Sequence, residues 1–182
     1  MNERRKNAPN MFAKECIVAA LLQLIKQKPL SAINISELCS VAGVSRMTFY
    51  RNYDSIEDIF KKELDDIFIK YEDDDIEHCS SLNFYDRTNI LHYLSYMLNY
   101  RDFVDGLFNC GFSMYFLEKM IDFIIKRWNE SADKVTLYAF AGSLFSIFQM
   151  WSTERYQTPP DTLASQIEKI YITCPGTTSF TT

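Results

Sequence analysis

The sequence contains few residues that interrupt helices and few that build catalytic sites. Of its 182 residues, five are Gly, five are Pro and two are His. So little Gly and Pro disfavours a β-sandwich with many turns and favours helices. The richest apolar stretch, residues 137–151, is broken by Ser143, Ser146 and Gln149, so it falls short of the roughly 18 apolar residues of a membrane span. We therefore expect an all-α protein without a membrane segment.

The five cysteines form no recognisable pattern. They are Cys16, Cys39, Cys79, Cys110 and Cys174. Their number is odd and no two are spaced as C-x-x-C, so we expect no disulfide framework or zinc site of that type, and a reduced, cytoplasmic protein. Residues 1–10 lack the apolar core of a secretory signal, and the charges from Arg4 to Lys6 predict a short basic arm.

Charge is distributed unevenly along the chain. Residues 1–62 hold 10 Lys or Arg against 6 Asp or Glu, whereas residues 63–182 hold 9 against 18, within a net charge of −5. A basic module attached to an acidic one is typical of a nucleic-acid-binding head on a body that does not approach phosphate.

Two short helices are predicted in the basic half, after an apolar-periodic helix over 11–27. Asn34 can cap a helix over 35–42, and Gly43 can close it. Ser45 can then cap a helix over 46–53, and a longer helix is expected from Ile56 to about residue 71. Two short helices around a glycine turn indicate a helix-turn-helix, with a plain αα corner and a solvated polar face as the alternative.

The acidic half is predicted to be helical throughout. We expect helices over 83–100, 101–109, 112–129 and 132–154, and a last helix that starts near Pro160. The acidic run over 71–82 indicates a solvated connector between modules rather than a divalent-metal site, because a bare acidic run does not arrange ligands around a point. Neither His78 nor His92 lies in a metal or nucleophile motif, so we predict no catalytic residue, metal or cofactor.

Residues 34–60 strongly resemble the DNA-binding domain of the TetR family of bacterial transcriptional regulators. The specific features are the Ala-Gly-Val-Ser turn over 42–45, the Thr-Phe-Tyr run over 48–50 and the aromatic Tyr53. The resemblance implies a helix-turn-helix domain over 9–70, a helical regulatory and dimerisation domain over 71–173 and a flexible tail over 174–182. It also implies a homodimer that binds a double-stranded DNA operator, and a repressor released by a small-molecule effector.

Carried over by position, the resemblance assigns eight residues to DNA contact: Ser36, Ser45, Arg46, Met47, Thr48, Tyr50, Arg51 and Asn52. Arg46 stands at the start of the second helix, where an arginine can bind guanine with two hydrogen bonds. Many family members have a lysine where this chain has Ile56. A phosphate contact is therefore expected to be missing, with Lys14, Lys61, Lys62 or the basic arm as compensation.

The dimer is also expected from the pattern of the helix after residue 132, which is apolar on two faces and must bury both. The predicted interface comprises Leu137, Ala141, Leu144, Phe148, Trp151, Leu163, Ile167 and Ile170. Small residues at Ala139, Gly142, Ser143 and Ser146 would permit close approach of a second copy. The alternative is a monomer in which this helix is wholly buried.

Aromatic residues are abundant in the acidic half and predict a pocket for an apolar or cationic effector. The candidate lining is Tyr93, Tyr96, Met97, Tyr100 and Tyr115. An enzyme is disfavoured by the lack of catalytic motifs. A protein-interaction adaptor that kept the helix-turn-helix fold without DNA binding remains the alternative, because Ile56 and the modest positive charge of the first 62 residues both weaken the electrostatic case.

Overall fold

A computed structural model describes residues 3–79 and 81–173, and the side chains from Asn10 to Ile172 except residue 80. Within these residues the chain is all-helical, as predicted. The helices are α1 (Glu3–Ile25), α2 (Ile35–Ala42), α3 (Arg46–Asn52), α4 (Ile56–His78), α5 (Arg87–Leu98), α6 (Arg101–Asn109), α7 (Ser113–Trp128), α8 (Lys134–Thr153) and α9 (Pro160–Thr173), with a 3₁₀ turn over Leu30–Ala32. None of the described helices is long and apolar enough to cross a bilayer. The side chains of the basic arm and the predicted tail lie outside the described residues.

The chain divides into two compact units. The head unit comprises the chain up to Asp66 together with Asp102–Phe112, and the body unit comprises Ile67–Arg101 and the chain from Ser113 onward. The segment over 102–112 was assigned by the sequence to the regulatory domain, yet it packs within the head. Helix α4 crosses the division, so the two units are joined by three stretches of backbone.

The turn between α2 and α3 forms as the local sequence predicts. The Asn34 side chain accepts a hydrogen bond from the Glu37 N–H at 3.0 Å and caps α2. Gly43 ends that helix with φ +66°, a left-handed conformation that glycine adopts without a Cβ penalty. The Ser45 hydroxyl then accepts from the Thr48 N–H at 3.0 Å and begins α3. The predicted helix-turn-helix is confirmed.

The head is built around fully buried apolar side chains. Leu38 of α2 and Phe49 of α3 have no exposed surface, and neither does Phe60 of α4. The ring of Phe60 also contacts Phe103 of α6, with centroids 5.8 Å apart. A Cβ at Gly106 would lie 2.8 Å from the Ile25 Cδ1, so glycine permits the close approach of α6 to α1. The absence of a side chain at Gly106 therefore helps to place α6 in the head.

The acidic run is helical rather than a connector, which corrects the sequence expectation. Helix α4 continues to His78, and its last turns have buried and ion-paired side chains. Tyr71 is 1% exposed. Further along, Asp75 accepts a hydrogen bond from Arg127 of α7 at 2.8 Å. Lys126 similarly binds Glu72 at 2.6 Å. The charge partners that stabilise the run lie about fifty residues away in sequence.

In the body, α5 packs beside α9 and α7 beside α8. Phe116 of α7 stacks on Phe148 of α8, with centroids 5.6 Å apart. Trp151 has no exposed surface, and its indole N–H donates to the Thr158 carbonyl at 2.8 Å. This bond fixes the turn between α8 and α9.

The predicted dimer interface needs correction. Seven of its eight residues are at most 3% exposed within a single chain, so they have no surface left for a second copy; they are Leu137, Ala141, Leu144, Phe148, Trp151, Leu163 and Ile167. Ile170 alone of the eight is exposed, at 48%. The periodic stripe on α8 is therefore the face that packs against α7 and the rest of the body core. Its opposite face exposes Val135, Tyr138, Ala139, Ser146 and Met150.

Candidate functional site

Helix α3 has a buried face and an exposed face. Phe49 lies in the head core, and Tyr53, directly after the helix, is 1% exposed and donates its hydroxyl hydrogen bond to Glu63. These two aromatic residues anchor α3 by one side. The other side is exposed and presents the guanidinium groups of Arg46 and Arg51 together with Met47, 76% exposed, and Tyr50, 49% exposed.

The two hydroxyl residues at the start of α3 are held by local hydrogen bonds. The Ser45 Oγ caps the helix and lies 2.9 Å from the Thr48 Oγ1. Thr48 is half-buried, whereas Ser45 is exposed. Ser36, at the start of α2, is exposed as well. Ser36, Ser45, Arg46 and Met47 are thus exposed, whereas the Thr48 hydroxyl is partly covered and bound to that of Ser45.

Asn52 does not belong to the exposed face, which corrects its assignment to DNA contact. Its side chain is buried, with the whole residue 8% exposed, and its Nδ2 donates to the Thr48 carbonyl at 2.8 Å. Its own carbonyl accepts from the Lys62 Nζ at 3.1 Å. Asn52 thus ties the end of α3 to α4.

The charges near α3 are arranged so that its two arginines stay available. No carboxylate within the described part of the chain forms an ion pair with Arg46 or Arg51. Two of the lysines expected to compensate for the missing phosphate contact are paired with carboxylates. Lys62 binds Asp58 at 2.8 Å, and this hydrogen bond raises the pKa of Lys62. Lys14 binds Asp66 at 2.9 Å.

Ile56, at the first position of α4, is 7% exposed and packs into the head. It has no polar group for phosphate. The cationic part of the surface is therefore the short segment over 46–51, with Lys61 exposed on α4.

A second candidate site is a cavity inside the body unit. Its lining is Tyr71, Phe84, Asn89, Ile90, Tyr93, Met120, Phe123, Ile124, Trp128, Phe140 and Leu144. The centre of a water molecule can occupy about 20 Å³ of it, which is room for about one water. An organic effector would need the surrounding side chains to move apart.

Three polar groups of the cavity wall are poorly satisfied. The Asn89 Oδ1 and the Trp128 Nε1 are buried without a hydrogen-bond partner among the described residues. The Tyr93 hydroxyl donates only to the Met120 sulfur, at 3.3 Å, which is a weak acceptor. Burial raises the pKa of Tyr93 above its ordinary value, so this hydroxyl remains a donor. The residues that line the cavity therefore include one unpaired acceptor, one unpaired donor and one weakly bonded hydroxyl among mostly apolar side chains.

Of the five candidate lining residues from the sequence, Tyr93 alone lines this cavity. Met97 has no exposed surface and lies elsewhere in the body core. Tyr96, Tyr100 and Tyr115 are half-buried. Sequence reasoning did not single out Asn89 or Trp128, because an unpaired polar atom has no signature in the one-dimensional pattern.

Comparison with known proteins supports the same assignment of the head. Residues 17–62 match the family model described as bacterial regulatory proteins, tetR family. The sequence has no significant match among curated proteins.

Several solved structures share the fold, including these three. Lin0861 from Listeria innocua has 17% identity and a TM-score of 0.71, with 88% of this chain and 89% of that chain covered. The dihydroxyacetone kinase operon activator DhaS has 19% identity and a TM-score of 0.60, with 87% and 93% covered. The fatty acid degradation regulator FadR from Bacillus halodurans has 12% identity and a TM-score of 0.65, with 86% and 96% covered.

At these identities the structural similarity shows the fold alone, and the match to the tetR family model concerns residues 17–62. That segment contains the capped turn and the exposed face of α3 described above. This chain therefore carries the N-terminal domain of the tetR family of bacterial regulatory proteins.

Proposed function

We propose that this protein is a sequence-specific DNA-binding transcription regulator that acts as a homodimer. The observation that carries the proposal is the exposed face of α3. There Arg46 and Arg51 have no carboxylate partner among the described side chains, while Phe49 and Tyr53 anchor the opposite side. A rigidly anchored helix with unpaired cationic side chains is suited to enter the major groove.

The side chains of this face divide by chemistry into two roles. Arg46, near the N-terminal end of α3, is placed to donate two hydrogen bonds to the O6 and N7 atoms of guanine. Met47 supplies an apolar contact beside it, of the kind that suits a thymine methyl group. Tyr50 and Arg51 lie further along and can contact phosphate, which positions the helix without reading sequence.

The test measures binding of the full-length protein to duplex DNA from the region upstream of its own gene by fluorescence anisotropy, over a series of salt concentrations. Arg46→Ala should cost about 1–3 kcal/mol on the specific duplex and little on a scrambled one. Arg51→Ala should weaken binding to both and reduce the salt slope by about one unit.

Lys70→Ala is the charge-matched control, because Lys70 is exposed on the body part of α4. It should leave binding to both duplexes unchanged. If the parent protein fails to bind any tested duplex at low salt, or if Arg46→Ala and Arg51→Ala bind as the parent does, DNA binding through α3 is contradicted.

We further propose that the body cavity receives a small, largely apolar effector with both a hydrogen-bond donor and an acceptor. Asn89 Oδ1 and Trp128 Nε1 supply the complementary groups. In the structure the cavity has room for about one water molecule, so an effector would select an expanded conformation of the body. Helices α4 and α6 carry backbone from the body into the head, which provides a covalent route for the change.

The proposed outcome is release from the operator, as in a repressor. One structural neighbour is named a dihydroxyacetone kinase operon activator, so whether the effector weakens or strengthens DNA binding needs a direct test. A candidate effector that raises the melting temperature of the protein should also lower its DNA affinity. Trp128→Phe should reduce the affinity for that effector and leave DNA affinity without effector unchanged.

A protein-interaction adaptor is the second candidate function. It is favoured by buried Ile56 and by the pairing of Lys62 and Lys14 with carboxylates, which leave few cations for phosphate. The anisotropy experiment separates the two candidates, since an adaptor would show no difference between specific and scrambled duplexes.

A further inference from the structure

A cluster of metal-ligating side chains lies in the body unit, where the end of α4 meets α5. The Cys79 N–H bonds to the Asp75 carbonyl at 2.8 Å, so the helical turn extends to Cys79 and the two side chains share one face. His92 reaches the same point from α5. One carboxylate oxygen of Asp75, the Cys79 Sγ and one ring nitrogen of His92 lie within 4.8 Å of one another.

Asp75 supplies an independent indication of a ligand. The residue has no exposed surface. Its Oδ2 accepts from the Arg127 Nε at 2.8 Å, whereas its Oδ1 is buried and has no hydrogen-bond partner in the described part of the chain. A buried carboxylate oxygen without a partner is destabilising. A bound cation would satisfy it.

The imidazole of His92 is similarly placed. Its Nε2 is buried and makes no hydrogen bond of acceptable geometry, although the Asp74 Oδ2 lies 2.9 Å away. The ring is held between those of Tyr71 and His78, with centroids 5.5 and 5.6 Å from its own. The His92 Nε2 and the Asp74 carboxylate therefore lie close enough together to bind the same metal ion.

We propose that Asp75, Cys79 and His92 bind a divalent transition-metal ion of the zinc class, with Asp74 as the fourth ligand. Thiolate and imidazole ligands favour zinc over magnesium or calcium, which prefer oxygen. Metal–ligand bonds of about 2.0–2.3 Å place ligand atoms roughly 3–4 Å apart. The cluster therefore needs to contract by about 1 Å, which side-chain rotation supplies.

The charges of the bound site balance. Asp74, Asp75 and a Cys79 thiolate contribute three negative charges, and the ion with Arg127 contributes three positive ones. Arg127 also donates to the Cys79 carbonyl at 3.0 Å. It thus orients two ligand residues from outside the coordination sphere, as a second-shell partner does in metalloproteins. The proposal does not depend on DNA binding.

The test uses the full-length, tag-free protein, reduced and stripped of metal by a chelator. Co²⁺ is added first, because it reports thiolate ligation by a charge-transfer band and fourfold coordination by visible d–d bands. We expect both signals, saturation at one ion per chain, displacement by Zn²⁺ and no displacement by excess Mg²⁺. The melting temperature should rise with Zn²⁺.

Two ligand variants and two matched controls locate the ion. Cys79→Ser should abolish the charge-transfer band, and His92→Gln should weaken Zn²⁺ binding on the order of 100-fold or more, since even second-shell changes cost 10–100-fold. Cys110→Ser and Cys16→Ser, at half-buried cysteines of the head, should bind as the parent does.

Circular dichroism checks that each variant keeps its helix content. If Cys79→Ser does not fold, His92→Gln serves as the test instead, because His92 is only partly buried. The proposal is overturned if the parent protein gives no charge-transfer band. It is also overturned if His92→Gln binds Zn²⁺ as the parent does, or if either control removes binding.

Discussion

The side-chain amide of Asn52 donates to the main-chain carbonyl of Thr48 at 2.8 Å, one helical turn earlier. This bond turns Asn52 into the head, although it directly follows Arg51 on α3. The two residues therefore have different roles. Asn52 stabilises the C-terminal end of the helix, and Arg51 remains on the exposed face.

The pair predicts a separation of stability from DNA affinity. Asn52→Ala removes one buried hydrogen bond and should lower the free energy of unfolding by about 0.5–1.5 kcal/mol, with unchanged DNA affinity at temperatures where the protein is folded. Arg51→Ala should weaken DNA binding and leave the free energy of unfolding unchanged. Urea unfolding and anisotropy on the same samples check both effects. If Asn52→Ala reduced affinity as much as Arg51→Ala without loss of stability, Asn52 would be a DNA contact after all.

The head could be predicted closely from the sequence because its signals are local. The cap residues Asn34 and Ser45 and the turn glycine Gly43 each act within five residues of the helix end they define. The direction of the Asn52 side chain could not be predicted. An asparagine in a polar stretch is equally compatible with a DNA contact and with a hydrogen bond at the helix end.

A second copy of the chain is expected to bind the exposed face of α8. Gly142 lies on that face, and apart from its chain neighbours and the backbone of its own helix, a Cβ there would meet no described atom within 4 Å. Gly142→Lys should therefore leave the monomer folded, or stabilise it by up to about 1 kcal/mol through helix propensity. It should also prevent dimerisation by placing a charge at the point of closest approach.

Light scattering at micromolar concentration measures the outcome. The parent protein should be a dimer and Gly142→Lys a monomer. Ser95→Lys, which adds the same charge at an exposed site on α5, should remain dimeric. A dimeric Gly142→Lys would exclude this face, and a monomeric parent protein would exclude the homodimer itself.

The body was predicted less completely because its decisive contacts are long-range. Periodicity indicates that α8 is apolar on two sides but does not show which side its own chain covers. The predicted interface therefore includes Leu137 and Phe148, which are buried within one chain. The acidic run is likewise helical, and its Asp75 binds Arg127, which lies 52 residues further along the chain. Side-chain partners at such distances leave no mark on local patterns.

The N-cap of α5 predicts a pH dependence of stability. Hydrogen bonds from Thr88, and a further one from the Ser81 hydroxyl, lower the pKa of Asp86. A carboxyl whose folded-state pKa lies below its unfolded value of about 3.9 stabilises the fold above that value. This contribution is lost as the pH falls through the folded-state pKa.

Two variants separate the charge of Asp86 from its capping. Asp86→Ala should cost about 0.5–2 kcal/mol at neutral pH, whereas Asp86→Asn keeps a capping oxygen and should cost less. Below pH 4 the difference between the parent and Asp86→Asn should shrink. Denaturant unfolding at several pH values measures this. If the stability difference between the parent and Asp86→Asn stays constant down to pH 2, the charge of Asp86 does not stabilise the fold.

The central claim is that the exposed face of α3 lies in a major groove, with Arg46 on guanine. Protection of guanine N7 from methylation by dimethyl sulfate, on a duplex bound by the full-length protein, tests this contact at the atom proposed. We expect the parent protein and Lys70→Ala to protect one more guanine in each half-site than Arg46→Ala at equal occupancy. Identical protection patterns for all three proteins, or full reactivity of every guanine under the bound parent protein, would contradict it.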